Sequence, residues 1–138
     1  MSPKNLPEAY LKKCQSRLRA LQVLIDDQNF SDVVRESQEI MELCSKAVLR
    51  IALIDPPHRH DVASELIIAK ASLPAAVHGA IDEMVTANHW LRREREISFY
   101  GAEDFDPTEG YSQEDCDRAS RYARLAVQTL AALLPGTV

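Results

Sequence analysis

The sequence predicts an all-α protein, and three observations carry that prediction. Apolar residues recur at intervals of three and four along four long stretches, the period of a helix with one buried face. Only 4 glycines stand against 46% hydrophobic residues, much of that Ala and Leu, a balance that favours helices. No window alternates apolar and polar residues for long enough to suggest a strand. At 138 residues the chain is expected to form a single domain over 1–138, which buries about two-thirds of its unfolded surface.

Helix A is expected from about Glu8 to Asp27. Leu11, Cys14, Leu18, Leu21 and Ile25 step along one face, and Pro7 suits the first turn. Asp26, Asp27 and Asn29 break the pattern, and Ser31 is placed to cap helix B, which runs to about Leu53. Val33, Ile40, Cys44, Ala47 and Ile51 make one apolar seam of helix B. Val34, Met41 and Val48, at heptad spacing, make a second beside it. Two seams need two partners, either two helices of the same bundle or one helix and a second subunit.

Pro56 and Pro57 stop helix B, because proline lacks the amide donor and pushes its predecessor out of the helical region. Asp61 is placed to cap a short helix C ending near Ser72. Ser72 and Pro74 are the residue types that open a helix D, whose buried face is Val77, Ile81, Met84, Val85 and Leu91. An acidic loop, GAEDFDPTEGY, follows. Ser112 with Asp115 approximates a capping box for helix E, which turns Ala119, Tyr122, Ala126, Leu130 and Leu133 inward before Pro135-Gly136 ends it. Connections this short make neighbours antiparallel, so the expected architecture is an up-and-down antiparallel four-helix bundle with an additional short helix.

A net charge of −5 argues against a general polyanion-binding surface, so any RNA contact must be local. Cys14, Cys44 and Cys116 are odd in number and form no CxxC pair, which reads as reduced, mostly buried thiols in a cytoplasmic protein. No apolar run approaches the roughly 20 residues that span a bilayer, and the chain is expected to be soluble and free of membrane contact. His58 and His60 invite a metal reading, but no second ligand set accompanies them. Neither a metal nor another cofactor is expected.

Two polar groups stand out. Gln38, Glu42 and Lys46 recur every four residues and share one stripe of helix B, with Glu42 N-terminal to Lys46 in the favourable order. Such a row is expected to face something other than a dry core. Arg92, Arg93 and Arg95 crowd the end of helix D. A guanidinium presents a fork of donors that suits a phosphate, although pairing with the helix dipole, Glu94, Glu96 and the acidic loop also accounts for them. His89 lies four residues before Arg93 on the same stripe, and Asn88, close to the apolar face, is placed to bond a buried group across the bundle or between subunits.

Gln38-x3-Glu42-x3-Lys46-Ala47 on a long helix, a Pro-containing turn, and then His60-Asp61-Val62 together resemble the HEPN domain. Arg92, Arg93 and Arg95 followed by Phe99-Tyr100-Gly101 agree with it, so that the resemblance spans roughly residues 8 to 134. It implies a homodimer with a groove lined by Arg92, Arg93, Arg95, Tyr100 and the row Gln38, Glu42, Lys46, with His60 bonding that row. It further implies a nucleotide- or RNA-binding module working with a small nucleotidyltransferase in a toxin and antitoxin pair. It makes Arg93 the family's catalytic arginine.

In HEPN ribonucleases that arginine is followed, after four to six residues, by a histidine. The imidazole moves the 2′-hydroxyl proton while the arginine stabilises phosphorane charge, without a metal. Here Ser98 stands after four intervening residues, with Tyr100 two further on, and serine does not exchange a proton near neutral pH as imidazole does. Tyr100 matches by spacing the tyrosine that a partner nucleotidyltransferase modifies in some HEPN toxins. Three readings stay open: a binding module with a partner, a metal-independent endoribonuclease with a non-standard active site, and a structural dimerisation domain. If His60 ties the helix-B row, His60→Ala lowers the melting temperature; an unchanged value removes that role.

Overall fold

The computed structural model describes residues 6–59, 61–100 and 110–134, with the side chains of 95–100 excepted. Among the described residues five α-helices follow one another: α1 (Leu6–Asp26), α2 (Phe30–Ile51), α3 (Ala63–Ala69), α4 (His78–Tyr100) and α5 (Gln113–Ala132). Two single 3-10 turns, Lys70–Ser72 and Ala75–Val77, join α3 to α4. No strand occurs among the described residues, and none of their helices is long and apolar enough to cross a membrane.

The centre is α2. It packs against α5, α1 and α4, and α3 leans on α4 and, more lightly, on α2. Both apolar seams of α2 are buried apart from the half-exposed Ile51, and the two partners expected for them are exceeded, because three long helices of the same chain press on α2. Helices α1 and α2 form an antiparallel hairpin whose outer edge is tied by Arg17 Nη1 to Glu36 Oε1 at 2.8 Å. Helices α4 and α5 also run antiparallel. Arg121 faces Glu83 at 3.8 Å, the Arg118 guanidinium lies 4.4 Å from the Trp90 ring centroid, and the Tyr111 hydroxyl donates to the Glu94 carbonyl at 2.6 Å.

Helix ends depart from expectation at three places. Ser31 does not cap α2: the helix starts at Phe30, Asn29 is its N-cap without a side-chain bond to the backbone, and Ser31 is buried in the first turn. The cause is the end of α1, where Gln28 takes a left-handed φ of 58° and Asn29 N–H bonds back to Leu24, so the chain re-enters a helix sooner. The short helix ends at Ala69 as α-helix and tightens to 3-10 over Lys70–Ser72. Ser72 and Pro74 do not open α4, because Val77 N–H closes a three-residue turn onto the Pro74 carbonyl at 3.1 Å and the α-helix begins only at His78. At α5 the full capping box is present: Ser112 accepts from Asp115 N–H while the Asp115 carboxylate accepts from Ser112 N–H. Pro135-Gly136 and nearly all of the acidic loop lie outside the described residues.

Helix α2 ends in a left-handed cap. Leu53 N–H bonds to Arg50 and Ile54 N–H to Leu49, with Leu53 at φ 63° where glycine is the usual residue. Its side chain is 93% exposed, so it gives back no packing for the strained backbone. Leu53→Gly is therefore expected to stabilise the protein by about 0.5–1 kcal/mol, read as a higher midpoint in urea; a lower midpoint would show that the leucine packs after all.

Candidate functional site

Because α2 is covered on most of its circumference, several of its polar side chains are carried into the interior. Gln38 is only 3% exposed, so the row that was expected to avoid a dry core starts inside one. Its Nε2 donates to Glu42 Oε1 at 3.1 Å, and Lys46 Nζ donates to Glu42 Oε2 at 3.2 Å. The Gln38 carbonyl oxygen is buried without a partner among the described residues. The row is thus a graded chain, from a buried amide through a half-buried carboxylate to a half-buried ammonium.

Asn88 performs the role across the bundle, within one chain. Its Nδ2 donates to Ser45 Oγ at 3.1 Å and to the Met84 carbonyl at 2.8 Å, all buried. That bond fixes the level at which α2 and α4 meet. It lies one residue from Lys46 on α2 and one residue from His89 on α4.

On the outer side of α4 the structure groups three residues that the sequence holds far apart. Asp61 Oδ1 accepts from Ala63 N–H at 3.0 Å, which anchors the start of α3. The helix itself begins at Ala63 with Val62 as N-cap, so Asp61 supports the end from one residue further out than a capping side chain does. Its other oxygen lies 3.6 Å from His89 Nδ1 and 4.0 Å from Arg92 Nη1. The carboxylate thus lies near Nδ1 but beyond hydrogen-bond reach, and 63% of the His89 side chain is exposed. This pairing was not legible in the sequence, because the two residues are 28 apart (89 − 61) and Asp61 was accounted for as a helix cap.

The arginines do not sit where the dipole would hold them. Helix α4 continues to Tyr100, so Arg92 and Arg93 stand about two turns before its end, and its last turn carries no basic residue. Arg92 is engaged by Asp61, whereas Arg93 is exposed and makes no hydrogen bond or ion pair among the described residues. Arg95 and Tyr100 have side chains outside the described set, and His60 lies outside it altogether. Among the described residues, the structure therefore brings His89, Arg92 and Arg93 to one outer face and joins Gln38, Glu42 and Lys46 on another helix.

A second cationic group escaped the sequence reading. Arg118 covers Trp90 and also lies 5.5 Å from the Tyr122 ring, Arg121 lies 4.9 Å from the same ring, and Trp90 meets Tyr122 edge-on at 6.1 Å. The arginines at 118, 121 and 124, three apart on one helix, were the available signal. Stacking on an aromatic face is a sufficient account of the first two.

The thiols are not nucleophiles in this state. All three are fully buried and free. Cys14 and Cys44 meet across the α1–α2 interface: the hydrogen bond from Cys44 lowers the Cys14 thiol, and the same bond, with burial, holds Cys44 well above the usual range. Burial raises Cys116. Among the described residues no cluster of three His, Cys, Asp or Glu side chains has the makings of a metal site.

Truncating Asn88 strands the Ser45 hydroxyl in the core. Asn88→Ala is expected to cost about 1–3 kcal/mol, measured by chemical denaturation, with Ser45→Ala/Asn88→Ala recovering part of the loss; equal stability of wild type and single variant would remove the bond from the account.

A family model described as the HEPN domain matches residues 7–133. No curated protein and no solved structure matches the chain. The match covers nearly the whole sequence and takes in α2, the Asp61 turn and α4, so the chain belongs to the HEPN domain family.

Proposed function

We propose that this protein is a nucleotide- or RNA-binding HEPN module that works with a partner, a minimal nucleotidyltransferase in a toxin-antitoxin-type pair. The observation that carries it is Arg93: an exposed guanidinium, unpaired among the described residues, on the face of α4 that also holds His89 and the Asp61-tethered Arg92. On a chain of net charge −5, a local cation cluster is what a phosphate would find. In this reading α1, α2, α4 and α5 form the up-and-down four-helix bundle of a single domain over 1–138. Two copies make a cytoplasmic homodimer, and Arg95, Tyr100, His60 and the row Gln38, Glu42, Lys46 complete the groove.

One observation favours a second reading. An imidazole beside a carboxylate and arginines has the parts of a metal-independent endoribonuclease with a non-standard active site. His89 Nε2 would take the 2′-hydroxyl proton and Arg93, as the catalytic arginine, would steady the phosphorane.

Single-stranded RNA binding followed by fluorescence anisotropy separates these from a purely structural domain. Arg93→Ala is expected to weaken binding and to lower the salt slope by about 0.7 for one lost phosphate contact; an unchanged affinity and slope would leave only the structural reading. Incubation with total RNA in EDTA tests the second: fragments made by wild type and lost in both Arg93→Ala and His89→Ala establish cleavage, and intact RNA throughout excludes it.

A further inference from the structure

At the end of the molecule where α1 begins and α2 terminates lies a cleft of about 470 Å³, lined by Arg50, Ile54, Leu134, Glu8 and Asp55, with Leu53 at its edge. Its size falls within the range of small-molecule sites, roughly 300–1,000 Å³. Its walls are mostly apolar, and the unusual feature is the arginine. Arg50 is half-buried, its Nε has no access to solvent and no hydrogen-bond partner, and the guanidinium makes no ion pair among the described residues.

A place in the last turn of α2 suits a cation, but the dipole supplies no anion for the guanidinium fork. Two carboxylates line the same cleft, and among the described residues neither reaches Arg50 or any other cation. One cation and two anions that are unpaired among the described residues, held apart beyond ion-pair distance over an apolar floor, match a molecule that carries both charges itself.

We infer that this cleft binds a free aliphatic α-amino acid. The ligand carboxylate lies on the Arg50 fork, its ammonium faces Glu8 and Asp55, and its side chain covers Ile54 and Leu134. A plain carboxylate would set a third negative charge beside the two acids, and a plain amine would set a second positive charge beside Arg50. The positive φ of Leu53 belongs to the same design: the left-handed cap swings its neighbour Ile54 back toward the helix end and opens the chain beside Arg50. The site draws on α1, on the end of α2 with the residues after it, and on Leu134 after α5, and it shares no residue with the α4 face, so it stands apart from the proposed nucleic-acid role.

Isothermal titration calorimetry of the full chain with L-leucine, leucinamide and 4-methylpentanoate tests the inference. Saturable binding of leucine is expected, weakened at least roughly tenfold when either charge is removed from the ligand. Arg50→Gln is expected to weaken leucine binding similarly, and so is the surface variant Glu8→Gln/Asp55→Asn, which keeps a readout available if Arg50→Gln does not fold. No heat beyond dilution for leucine overturns the proposal, as does equal binding of leucine and leucinamide or wild-type affinity in both variants.

Discussion

Helix α2 is pressed from three sides, by α1, α4 and α5, and that enclosure dictates what its side chains are allowed to be. Twelve of its 22 residues are buried, including Ser37, Gln38 and Ser45, so polar groups are carried into a region where an unmet donor or acceptor is expensive. Each finds its answer differently. Ser45 receives the Asn88 amide from α4, Gln38 donates forward to Glu42, and the Ser37 hydroxyl and Gln38 carbonyl remain unmet among the described residues. The polar row on α2 is therefore first a consequence of enclosure, and only at its Glu42 and Lys46 end does it approach the surface.

Asp61 transmits that arrangement outward. One carboxylate oxygen anchors the start of α3, and the other faces His89 and Arg92 on α4. The turn after the double proline is thereby held against the helix that Asn88 has already registered on α2. Exposed ion pairs contribute little to stability. The value of this one is geometric, since it gathers an imidazole and a guanidinium beside Arg93, which no other described residue engages.

Helix termination sets the remaining geometry. Left-handed caps at Gln28 and Leu53 end α1 and α2 abruptly, and both place non-glycine residues where glycine is usual. At the first, abrupt reversal gives a tight hairpin and shifts the start of α2 onto Phe30. At the second, it leaves Arg50 facing an apolar cleft with its Nε unpaired. Among the described residues of this acidic chain, unpaired cationic character thus sits at separate places, with one arginine on α4 and another at the end of α2.

Helix count, the core faces and the α5 capping box were legible in the sequence, because periodicity and the Ser112–Asp115 pair are local properties that survive into the fold. So was the stripe of Gln38, Glu42 and Lys46, since i, i+4 spacing is fixed by the helix alone, and so was family membership, carried by the order of short motifs. What the sequence could not hold was depth and long-range pairing. Whether the stripe faced water was decided by how many helices cover α2, which is why Gln38 is interior. The meeting of Asp61 with His89, of Asn88 with Ser45, and of Arg118 with Trp90 depends on which helices pack together and at what level. The caps at Ser31 and Ser72 failed for the same reason: a capping residue works only if the preceding turn ends beside it, and that is set by how the chain leaves the helix before.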